Sequence, residues 1–146
     1  MAAYDLNTDT RRYDKDYLIV DFDHLFIAAT LREEIWLLQS RNDHELIDEI
    51  IRAASAFTML EVAPDRNLDL YSTGQQAILA CLLVMAVIRA NNRHNLKLLL
   101  NHVLESISPA NRRRLLLEFD RLRASHGIRL FIGQQGDIKD MDRANG

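Results

Sequence analysis

The sequence predicts an all-α, single-domain bundle of about five helices around a central apolar helix. Three observations point that way. Apolar residues recur at helical spacing through most of the chain. Glycine and proline number only five and two in 146 residues, too few for the many turns of an all-β protein. An unbroken apolar run from Ala77 to Ile88 suits a helix buried on every side. A chain of this length fits one domain and buries about 68–70% of the surface of its unfolded form. Neither disulfides nor a metal are needed to stabilise it.

The elements follow in order. Residues 1–16, with Asp5, Asp9, Arg11, Arg12, Asp14, Lys15 and Asp16, are polar and aperiodic, so they read as a flexible arm. The helical domain is then 17–132. Tyr17-Leu18-Ile19-Val20-Asp21-Phe22 reads either as a short strand or as the first turns of a helix. From Leu25 a first helix is expected: Ala28, Leu31, Ile35 and Leu38 form its apolar side, and Arg32, Glu33, Glu34 and Gln39 the other. Asp43 is a good N-cap for a second helix, with Glu45 in its first turn. Its stripe is Leu46, Ile47, Ile50, Ile51, Ala54 and Phe57, and Pro64 to Leu70 form a loop.

Ser72 or Thr73 with Gln75 or Gln76 makes a capping box for the third, central helix. Asn95 is expected to cap a fourth, running over about 95–106, with Leu96, Leu99, Leu100, Val103, Leu104 and Ile107 inward. Ser108-Pro109 opens a fifth over about 109–125, carrying Leu115, Leu116, Phe119 and Leu122, and Gly127 ends it. Ile128 to Ile132 is a candidate strand, which would make a minor two-stranded element with 17–22. Residues 133–146 read as a flexible tail.

Charge is distributed unevenly. Residues 1–70 hold 15 acidic and 7 basic side chains, whereas residues 71–146 hold 6 and 11. Arginine supplies 15 of the 18 basic residues, and its planar fork suits carboxylates and phosphates. Met1 to Leu6 lacks the apolar core of a signal peptide. The Ala77–Ile88 run is shorter than the ~20 residues of a membrane span. A cytoplasmic protein without membrane contact is the expectation. The lone Cys81, inside the apolar run, reads as a small core hydrophobe.

Few residues suggest chemistry. Asp21-Phe22-Asp23 after an apolar stretch resembles a Mg²⁺ ligand pair at a strand end, but a capping role for either aspartate is the simpler reading. His24, His44, Glu45, Glu49, His94, His102 and Glu105 offer no established metal spacing. No nucleophile elbow or phosphate loop is present. No metal, cofactor or catalytic residue is therefore expected.

The fifth helix is different. Asn111, Arg112, Arg113 and Arg114 sit in its first turns, where positive charge opposes the helix dipole by about 0.3–1 kcal/mol each. Arg93, Lys97 and Arg121 extend this basic set, and Glu45, Asp48 and Glu49 form an acidic counter-surface. The leading expectation is a non-enzymatic interaction module (adaptor, assembly subunit or small regulator) binding a protein partner or itself through complementary charge. A nucleic-acid-binding regulator with a helix-turn-helix over 95–106 and 109–125 is the alternative. A Mg-dependent phosphoryl-transfer enzyme using Asp21 and Asp23 comes third.

Overall fold

Four short segments pair into a sheet in the computed structural model of this chain, which describes residues 17–134 and 137–141. They are β1 (Tyr17–Asp21), β2 (Lys97–Asn101), β3 (Arg129–Gln134) and β4 (Asp137–Asp140), ordered β1-β2-β3-β4. β1, β2 and β3 run parallel, with Leu18 level with Leu98 and Leu98 level with Leu130. β4 returns antiparallel along β3. Parallel neighbours need long crossovers. The first carries α1 (Leu31–Gln39), α2 (His44–Thr58) and α3 (Thr73–Ala90), and the second carries α4 (Pro109–His126).

The all-α bundle is therefore corrected to a mixed α/β fold, with four helices and one four-stranded sheet among the described residues. The expected helix over 95–106 is β2 followed by a short 3-10 turn, Leu104–Ser106. Segments 17–21 and 129–134 are both strands, but β2 lies between them, so they do not form a ribbon of their own. Residues 137–140 of the expected tail form β4. The expected arm, 1–16, lies outside the described residues.

The reason for the first error is visible in burial. Leu98, Leu99 and Leu100 are all buried, because a central parallel strand is covered on both faces and reads as an unbroken apolar run. Leucine favours helices, yet Asn95 and His102, with φ of 62° and 58°, bracket the run in the left-handed region that interrupts a helix. Asn95 is thus a left-handed corner rather than an N-cap.

The other helix ends follow local signals. Thr30 Oγ1 accepts from the Glu33 amide to start α1, and Asp43 Oδ1 accepts from the Leu46 amide to start α2. Ser72 and Gln75 form a reciprocal capping box on α3. Ser108 caps α4 with Pro109 in its first turn, and Gly127 ends it at φ 65°. Residues 25–30 are not helical as expected; they form a loop that runs beside residues 64–68, bridged at Thr30 and Asn67.

The core lies on one face of the sheet. Leu18, Val20, Leu98, Leu100, Leu130 and Ile132 join the helix side chains in one buried cluster, whereas the buried Leu99 and Phe131 stand outside it. Alternation along the strands puts those two on the opposite face. α3 packs on β1 and α4 on β3, while α2 packs on both α3 and α4. Every residue of α3 from Ala77 to Ile88 is buried, as expected of a central helix. Its length and apolarity match a membrane span, but two thirds of its residues are buried here.

Candidate functional site

The arginines at the start of α4 are divided by their neighbours. Arg114 reaches the far end of α2, where its guanidinium donates to the carbonyls of Phe57 and Ala56 and lies 4.7 Å over the Phe57 ring. Those carbonyls belong to the negative end of the α2 dipole. The charge that α4 disfavours is thus accepted by α2. Arg112 donates from Nη2 to the Ile107 carbonyl at 3.1 Å, and its Nε is buried without a hydrogen-bond partner among the described residues. Arg113 is exposed, with no ion pair or hydrogen bond among the described residues. The Asn111 amide is spent on the Ser108 cap.

Further along α4, Arg121 pairs with Glu118 and Arg123 with Asp120. Residues 113, 117 and 121 recur at helical spacing, and Leu117 between the two arginines is 58% exposed. This exposed stripe, basic at both ends and apolar in the middle, spans about 12 Å. Arg93 and Lys97 are not part of it. They precede and begin β2, near the other end of α4, where the Asn95 amide donates to the His126 carbonyl. α4 is about 27 Å long, so the expected basic set is split between its ends.

The acidic residues keep to the first half of α2. Glu45 and Asp48 are exposed, and Glu49 is half-buried with Oε2 4.0 Å from Arg89. They stand about 12–18 Å along α2 from the carbonyls that hold Arg114. The two charged sets are not paired within the molecule.

The sheet brings a second group of polar residues to the carboxyl ends of its parallel strands, the usual place for ligands in open α/β sheets. Asp21 Oδ1 accepts from the Asp23 amide at 3.0 Å, capping a short turn, and Oδ2 accepts from Asn101 Nδ2 at 3.4 Å. Gly133 leaves room for this arrangement, because a Cβ there would collide with Asn101 Oδ1. His102 Nδ1 lies 3.2 Å from Glu105 Oε1. Both Asp21 oxygens are thus engaged. Among the described residues, no three His, Cys, Asp or Glu side chains are grouped to hold a metal ion. His94 stacks on His126 at 4.8 Å, at the opposite end of β2 from His102.

Glu34 is the buried charge that sequence reasoning missed. Expected on the outer side of α1, it lies on the same side as Leu31 and Leu38 and is wholly buried, with the loop before α1 folded against it. Its Oε1 accepts from the amides of Ile27 and Ala28 at 2.8 and 2.7 Å, and its Oε2 has no partner among the described residues. Burial raises the carboxyl above its ordinary 4.5, and the Ala28 and Ile27 amides oppose the rise. A carboxyl raised on folding contributes stability that is whole below the unfolded value and is lost as pH rises through the folded one. Glu34→Gln keeps an acceptor for both amides but cannot ionise. The stability of the wild type relative to Glu34→Gln should therefore fall as pH climbs from about 4 to 8. Urea denaturation across that range checks it, and a difference independent of pH would refute it.

The chain matches no known protein-family model and no curated protein sequence. Fold and site define a small α/β domain with a basic, leucine-centred stripe on its last helix.

Proposed function

We propose that this protein is a non-enzymatic interaction module that holds an acidic protein surface against the exposed side of α4. The observation that carries the reading is Arg113, an exposed arginine near the start of α4 whose side chain has no partner among the described residues. Arg112 and Arg114 have structural work of their own, so stability accounts for them; it does not account for Arg113. Leu117, exposed beside it, supplies the apolar centre that interfaces use. The exposed Glu45 and Asp48 on α2 offer one complementary surface, that of another copy.

The nucleic-acid alternative relied on a pair of helices, and its first member is β2. The phosphoryl-transfer reading rested on Asp21 and Asp23 as a ligand pair; Asp21 instead accepts from the Asp23 amide and from Asn101 Nδ2.

Sedimentation velocity at low and high salt tests the self-associating form. The weight-average mass should rise at low salt, and Arg113→Glu with Arg121→Glu should weaken association roughly tenfold or more. For a different partner, wild type and the double variant are compared as bait in native cross-linking, and the partner should be lost with the variant. One monomeric mass at both salts, together with identical cross-links from both baits, would end the proposal.

A further inference from the structure

The two edges of the sheet are unlike. β4, on one side, has four residues, of which Asp137, Lys139 and Asp140 are charged. Short, charged edges resist pairing with other chains. β1, on the other side, reads Tyr-Leu-Ile-Val-Asp and has neither lysine nor proline. It pairs with β2 alone, and its backbone makes no further hydrogen bond among the described residues. An edge strand of this kind presents a row of unpaired amides and carbonyls. Natural sheets seldom leave such an edge unguarded unless it is used.

We propose that this edge is an interface on which a second copy of the chain lays its own β1, antiparallel, about a twofold axis at Ile19. The register is self-complementary. Ile19 meets Ile19 of the second copy, Leu18 meets its Val20, and Tyr17 is level with its Asp21. Aliphatic and β-branched residues therefore stand opposite one another, the favourable arrangement across antiparallel strands. The single charge of the strand, Asp21, is carried to opposite ends, about 14 Å from its counterpart, so no like charges face each other.

The core continues across the axis as well. Residues directly opposite in antiparallel strands point to the same face. Leu18 and Val20 belong to the helix-side cluster, so pairing joins the two apolar layers into one, and the four-stranded sheet doubles. Such an isologous contact closes on itself. The charged β4 edge then stops further growth.

This interface depends on backbone hydrogen bonds and apolar pairs rather than on charge. It is independent of the α4 reading, and salt separates the two. At about 1 M salt the screening length is near 3 Å, so a contact through Arg113 dissolves and the β1 pairing persists. Light scattering after size-exclusion chromatography in high salt should give twice the 16.8 kDa monomer mass, unchanged by Arg113→Glu with Arg121→Glu. Ile19 is half-buried and lies on the face away from the main cluster. Ile19→Lys places like charges across the axis and should give a folded monomer. Ile19→Glu should do the same, and mixing the two variants should restore the dimer.

A wild type that is monomeric at high salt up to its solubility limit overturns the proposal, as does Ile19→Lys dimerising like wild type. If the Ile19 variants do not fold, amide exchange on the wild type decides. Alternate amides along Leu18, Ile19 and Val20, those that point away from β2, should exchange more slowly as protein concentration rises, and exchange of these amides independent of concentration overturns the interface.

Discussion

Replacing Leu98 by alanine is expected to cost about 2–5 kcal/mol of folding stability, and to lower the melting temperature by roughly 4–20 °C. Leu98 is fully buried in the central strand, level with Leu18 on one side and Leu130 on the other, and it belongs to the main cluster. Truncating it leaves a cavity that three strands share. The rigid ladders on both sides limit how far the site can collapse, which puts the cost toward the upper end. The position also separates the two readings of this segment. A helix over 95–106 buries Leu96, Leu99, Leu100 and Val103 and leaves Leu98 off that stripe. Alanine there would then change stability by no more than about 0.5 kcal/mol. A near-zero effect in urea and thermal denaturation would therefore sink the strand placement as well as the energy.

The same segment shows which parts of the fold were legible in sequence. α2, α3 and α4 were readable because their signals are local: Asp43 beside its own first turn, Ser72 with Gln75, Ser108 with Pro109, and Gly127 after the last turn. What makes 97–101 a strand is pairing with β1 and β3, and nothing within five residues announces it. Three leucines in a row satisfy a helix and a buried strand equally, and length should have decided between them. β4 gave little signal of its own, with one apolar residue, Ile138, among three charged ones.

For the site, the arginine cluster stood out in sequence. That Arg114 serves the end of α2 did not, since it depends on how two helices meet. Glu34 was misplaced for a simpler reason. It stands three residues after Leu31 and four before Leu38, on the buried side of α1 rather than the outer one, and the loop at 25–30 encloses its carboxylate.

Phe119→Ala is expected to destabilise the protein by about 3–5 kcal/mol, whereas Leu117→Ala, two residues away, should stay within about 0.5 kcal/mol of wild type. Phe119 is among the largest fully buried side chains, on the face of α4 that also buries Leu115 and Leu122. That face packs against α3, α2 and β3, so removing the ring opens space between helix and sheet at once. Leu117 points outward between Arg113 and Arg121 and has little burial to lose. Denaturation of both variants and of the double mutant should give additive changes if Leu117 has no part in the core. The contrast carries the functional argument. If Leu117→Ala leaves stability intact and still weakens association at low salt, the outer side of α4 is maintained for a partner. If it costs stability like Phe119→Ala, then Leu117 is core, and the stripe with Arg113 loses its apolar centre.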